Sequence, residues 1–147
     1  MNIKRSLIGF FMLTVIAFFS GCIGKSTDCT LDCRTLNETV KGIEILYIYE
    51  EHKEREVLYV LEEDEIPTFL EEFCGLTFQL QIPPQESIRY TVKLLYHDGS
   101  FDLISAWGGI RYNKEGEFET HVPFCKSDDR ESYYNLLLKY IKIDKLK

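Results

Sequence analysis

Five cysteines and three histidines are the side chains of this 147-residue chain with the most chemistry to offer. The first thiol is Cys22, and Cys29, Cys33, Cys74 and Cys125 follow it. A structural zinc site draws its thiolates from paired short spacings. Cys29 and Cys33 make one short pair without a second, so no metal site is expected. A dithiol redox centre uses Cys-x-x-Cys beside a βαβ unit, whereas here the spacing is one residue longer and the flanking residues are polar. The four thiols after Cys22 are an even set, which in an oxidising compartment points instead to disulfides, with three connectivities open. The expected pairing joins Cys74 to Cys125 and leaves Cys29 and Cys33 as a local bridge; buried free thiols are the alternative. The histidines, His52, His97 and His121, show no i, i+4 spacing, which a helical metal pair requires. No G-x-S-x-G frames a nucleophile and no glycine-rich loop cradles phosphate. No catalytic residue and no cofactor is therefore assigned. The acid run Glu62-Glu63-Asp64-Glu65 offers a weak cation site, but acids also suit the positive end of a helix. Trp107, Arg111 and Tyr112 form the single stretch rich in side chains favoured at binding hot spots. Trp107 also lies on an apolar strand face, which would turn it inward.

Cys22 takes its meaning from what precedes it. Lys4 and Arg5 are followed by an apolar run from Leu7 to Phe19 and then by Ser20-Gly21. A positive start, a short apolar stretch and a small-residue exit describe a secretory signal. The run is too short for a span, which needs about 20 apolar residues to cross about 30 Å of hydrocarbon. The order Phe19-Ser20-Gly21-Cys22 resembles the lipobox of bacterial lipoproteins. The resemblance covers the first 22 residues and implies a diacylglyceryl (palmitate-type) group on the Cys22 thiol and cleavage just before it. It also implies an exported protein held at the outer face of the inner membrane or in the outer membrane. Two or more acyl chains anchor stably where one does not. Phe19 departs from the usual leucine of that motif.

The expected organisation is a cleaved signal at 1–21, a lipidated flexible tether at 22–41 and one α+β domain at 42–147. The tether stretch is polar and lacks periodicity, and fully extended it would reach on the order of 60 Å. Cleavage would remove two cations and no acid, making the formal charge of −7 more negative by two. Nucleic-acid binding needs lysine and arginine clustered on a face; no such cluster is visible, so no nucleic-acid partner is expected.

The positioning elements follow from periodicity. Ile43, Ile45, Tyr47 and Tyr49 alternate with Glu44, Leu46, Ile48 and Glu50, a strand with apolar residues on both faces and therefore central. The polar run 50–56 turns the chain into a partner strand at Val57–Leu61. Asp64–Gly75 reads as a helix, with Asp64 as cap, Pro67 in the first turn, Gly75 as stop, and Ile66, Phe69, Leu70 and Phe73 as its buried stripe. Phe78, Leu80 and Ile82 mark a half-buried strand. Asp98-Gly99 is a favoured two-residue hairpin centre. It would pair Tyr96 with Phe101 and Leu94 with Leu103, and set Arg89, Thr91 and Lys93 with Asp102 on the polar face. Ile110–Tyr112 and Phe118–Phe124 make another pair around Asn113–Gly116. Asp128 with Glu131 three residues on starts a final helix that buries Tyr133, Leu137, Tyr140 and Ile141. The fold class is α+β: an antiparallel sheet of about 5–7 strands with two helices on one face, in the order ββα-βββββ-α.

An acidic anchored domain without a visible catalytic constellation suggests a non-catalytic protein-binding or structural envelope module. An enzyme with an unrecognised site would show a histidine and acids with shifted pKa in a cleft. A small-ligand sensor would show an apolar pocket of roughly 300 Å³ or more.

Overall fold

The computed structural model describes residues 28–29, 31–48, 55–80 and 90–141. Cys22 with its leader and His52 lie outside them, as do Tyr49, Glu50, Ile82 and Arg89. In chain order the elements are β1 (Asp28–Cys29), α1 (Cys33–Thr39), β2 (Val40–Ile48), β3 (Arg55–Val60), α2 (Ile66–Cys74) and β4 (Phe78–Gln79). They continue with β5 (Tyr90–Tyr96), β6 (Phe101–Ser105), β7 (Gly109–Tyr112), β8 (Phe118–His121), β9 (Phe124–Cys125) and α3 (Arg130–Tyr140). The main sheet has six antiparallel strands in the order β3-β2-β5-β6-β7-β8. A smaller antiparallel sheet runs β1-β4-β9. The α+β class and the central place of β2 stand as expected.

One face of the main sheet carries the core. Ile43, Ile45, Val92, Leu94 and Ile104 meet Phe69, Leu70 and Phe73 of α2 and Tyr133, Leu136 and Leu137 of α3. Each large apolar side chain so buried contributes about 1.5–3 kcal/mol. Tyr133 brings a hydroxyl to the centre, and it donates to the Ile104 carbonyl at 2.9 Å, with that of Tyr90 at 3.1 Å. Its hydroxyl is thereby satisfied, as a buried hydroxyl must be.

Three local readings are corrected. The α2 cap position is Glu65, one residue beyond Asp64: its carbonyl accepts the first helical bond from the Phe69 amide, while its carboxylate makes no cap bond and accepts instead from the Glu62 amide (2.9 Å) and the Tyr59 hydroxyl. The acid run thus builds a turn. At α3, Asp128 and Glu131 form no capping box; a 3₁₀ turn at Ser127–Asp129 leads in, and the Asp129 carboxylate accepts from the Thr77 amide at 2.7 Å. The β5–β6 hairpin is shifted by one residue: Leu95 faces Phe101, Leu94 faces Asp102 and Val92 faces Ile104. Gly99 donates to the Tyr96 carbonyl and holds φ at +90°. His97 and Asp98 are therefore the turn centre and Gly99 is a left-handed bulge, the three-residue form of the hairpin. A one-residue slip exchanges the faces of a strand, and here it moves Asp102 onto the core side.

The stretch expected to be a flexible tether holds β1, α1 and the start of β2. Asp32 starts α1: its carboxylate accepts from the Arg34 and Thr35 amides and from the Thr35 hydroxyl. Those bonds hold the Asp32 carboxyl below its usual range, the Thr35 hydroxyl foremost. The disulfide pairing also differs from expectation. Cys33 of α1 bonds Cys74, the last residue of α2, with Cα atoms 5.8 Å apart. Cys125 is a buried free thiol on β9. Cys29 and Cys125 both register against Phe78 from opposite sides of β4. Two strand spacings separate them by about 9–10 Å, beyond the reach of a disulfide.

Candidate functional site

The shift of the β5–β6 hairpin creates the most distinctive polar group of the described residues. Asp102 on β6 is 3 % exposed, a carboxylate set among core side chains. Its register partner on β7 is Arg111. The guanidinium meets it in a two-pronged pair, Nε donating to Oδ1 at 2.7 Å and Nη2 to Oδ2 at 2.8 Å. Tyr96, from β5, donates its hydroxyl to Oδ2 at 2.6 Å. The Arg111 guanidinium also lies 5.2 Å from the Tyr96 ring centre. Three adjacent strands thus supply one residue each, which fixes the geometry without help from loops.

The charges explain one another. The Asp102 hydrogen bonds push the Arg111 pKa up and keep it cationic. Burial, and then the Asp102 charge, push the Tyr96 hydroxyl well above its ordinary value, so it stays a donor. Arg111 keeps 37 % of its side chain exposed while Asp102 keeps 5 %. The pair therefore reaches from the core to the surface, and two-pronged arginine–carboxylate bonds are the strong, directional kind. Among the described residues, the Arg111 Nη1 nitrogen has no protein partner.

Two recesses abut along Arg111. The inner one, about 160 Å³, lies between α1 and the sheet, walled by Leu36, Leu94, Ile104 and Val122, with Tyr96, Asp102 and Arg111 at its polar side. The outer one, about 380 Å³, lies between the β5–β6 and β7–β8 turns, with Asp98, Lys114, Glu115 and Glu119 around it. Asp98 is held below the usual carboxylate range, first by the Ser100 hydroxyl.

The three residues singled out from sequence do not form one surface. Trp107 packs at the edge of the core, donating from Nε1 to the Tyr134 hydroxyl at 3.3 Å, with the Arg130 guanidinium over its ring. Arg111 faces Asp102 on the helix side of the sheet. Tyr112 points the opposite way and stacks on Phe101 at 5.0 Å. Successive strand residues alternate faces, so Arg111 and Tyr112 could not share one. His97 is exposed in the hairpin turn, and His121 sits on β8 against Phe118. Among the described residues no group of His, Cys, Asp or Glu is placed to hold a metal ion, and no helix is long and apolar enough to cross a membrane. Sequence reading missed Asp102 because the assumed register put it in solvent.

In comparisons with known proteins, no family model, no curated protein and no solved structure matches this chain.

Proposed function

We propose that the chain is an exported protein, held to the bacterial envelope by a lipid on Cys22, and that its domain acts by binding another protein. The observation that carries this reading is the ordered leader: Lys4-Arg5, the apolar run to Phe19, then Ser20-Gly21-Cys22. The Cys33–Cys74 disulfide agrees with an oxidising compartment. Binding is favoured over turnover by the Tyr96–Asp102–Arg111 group, whose members are engaged mainly with one another. The inner recess, about 160 Å³, is also small beside the roughly 300–1,000 Å³ of pockets for drug-sized molecules, and the outer one, about 380 Å³, is lined by charged and polar side chains where such pockets are mostly apolar. The inner recess suits one side chain of a partner better than a whole ligand.

Two measurements test the reading. Mass spectrometry of the protein extracted from membranes should show an N-terminus at Cys22 carrying acyl chains, and Cys22→Ala should release the chain from the membrane fraction. An intact, unacylated leader would overturn the anchor. Cross-linking of the lipidated chain in cells should then yield one stoichiometric protein partner. A turnover activity abolished by a single side-chain change would replace binding with catalysis.

A further inference from the structure

We propose that the two recesses beside Arg111 form one peptide-docking site, for a partner segment that presents a leucine- or phenylalanine-sized side chain near a lysine or arginine. The proposal rests on the binding reading above. The inner recess, at about 160 Å³, matches a cavity of about 150 Å³ that holds one benzene ring. Its apolar wall of Leu36, Leu94, Ile104 and Val122 selects an apolar side chain. Asp102 and Tyr96 are occupied by each other and by Arg111, so the donors left over are those of Arg111 Nη1. They call for an acceptor, which an extended peptide supplies as a main-chain carbonyl.

The outer recess sets the charge of the neighbouring residue. Asp98, Glu115 and Glu119 line it with Lys114 and Arg111, and the Arg111 charge is already matched by Asp102. The balance is acidic, so a basic side chain is the complementary one. On an extended segment, side chains two residues apart lie on one side at about 6.5–7 Å, which lets one enter each recess. The inner wall also has a part able to yield. Helix α1 is seven residues long and buries none of them fully. The Cys33–Cys74 bond ties its first residue to α2.

The test uses the full-length chain in detergent and the peptide acetyl-Gly-Leu-Gly-Lys-Gly-amide, with methyl groups read by NMR. The peptide should shift the methyl signals of Leu36, Ile104 and Val122 and saturate. Its Leu→Ala analogue should bind about 10- to 100-fold more weakly, the loss expected for one buried leucine. Glu119→Lys, an exposed charge reversal, should weaken the leucine peptide several-fold at low salt, a difference that shrinks at high salt. Equal affinity of the leucine and alanine peptides, or no shift at those three residues, overturns the site. Photo-cross-linkers in cells separate this failure from failure of the binding reading. Capture of a partner from position 118 but never from 119 refutes the docking site while a binding function stands. Capture from 119, through a partner peptide bearing the apolar–basic pair, supports it.

Discussion

Removing Arg111 should cost the fold more than removing Asp102, although the two side chains share the same hydrogen bonds. The asymmetry follows from exposure. Arg111→Met takes both guanidinium donors, at 2.7 and 2.8 Å, from a carboxylate that keeps 5 % of its surface. A buried charge stripped of its partner costs about 3–5 kcal/mol. The Tyr96 hydroxyl still donates to Asp102, which places the expectation near the lower end, about 3 kcal/mol. Asp102→Ala leaves the cation instead, but Arg111 is 37 % exposed and turns toward water. What remains is a buried tyrosine hydroxyl without its acceptor, about 1–3 kcal/mol. The double variant holds no stranded charge, so its deficit should fall short of the summed single deficits by about 2 kcal/mol, within the usual range for contacting residues. Urea unfolding at pH 7 with the disulfide intact, followed by the fluorescence of Trp107, measures all three. A domain of ordinary stability, about 5–15 kcal/mol, survives each change well enough to be measured. Additive deficits, or Asp102→Ala costing as much as Arg111→Met, would refute the reasoning.

Reducing Cys33–Cys74, which closes a loop of sequence separation 41, should lower stability by about 4 kcal/mol on loop-closure grounds; a urea midpoint unmoved by dithiothreitol would contradict this. Thr91 on β5 is fully buried and its Oγ1 has no hydrogen-bond partner among the described residues, so Thr91→Val should stabilise by about 1 kcal/mol. A loss of stability on urea unfolding would reveal a partner for the hydroxyl. A Cβ at Gly109 would stand 2.4 Å from the Val122 carbonyl oxygen. Backbone cannot yield as a flexible side chain does, so Gly109→Ala should destabilise by at least about 2 kcal/mol, and a neutral result would show that β7 and the segment at Val122 can separate. Burial, then the Asp129 charge, pushes the Cys125 thiol up to about 12. A raised folded value means stability that is complete below the thiol's ordinary pKa of about 8.5 and is lost as pH climbs toward the folded one. The urea midpoint should fall on the alkaline side, and Cys125→Ala should flatten the fall.

The features legible in the sequence are those where one period dominates. The apolar alternation of β2 and the stripe Phe69, Leu70, Phe73 of α2 each bury a continuous row, and periodicity registers such rows directly. Helix α1 escaped because Cys33–Thr39 has no buried row at all; its signal was local, the Asp32 carboxylate bonded to Thr35. Missing that helix also misassigned the disulfide, since a Cys33 taken to be in a loose tether left Cys74 with Cys125 as the only partner placed within the domain. The polar site was hidden for a different reason. Asp98-Gly99 fits a two-residue turn as well as the three-residue loop found, and the two-residue register sorted Asp102 neatly with Arg89, Thr91 and Lys93. Local chemistry thus favoured the wrong alternative. What decides the register is not local: Asp102 is tolerable on the core side because Arg111 stands opposite it on β7 and Tyr96 closes over it from β5. A buried charge needs its partner delivered by the tertiary fold, and a pairing across nine residues and a second hairpin leaves no periodic trace. The same argument says where function should be sought in this domain. The hydrophobic pattern alone would have been served by an apolar residue at position 102. The sequence instead places a carboxylate there, with an arginine to match it and a recess on either side of that arginine. Buried ion pairs add little net stability over apolar packing, so what this pair brings to the fold is geometry: it fixes the Arg111 guanidinium between the two recesses.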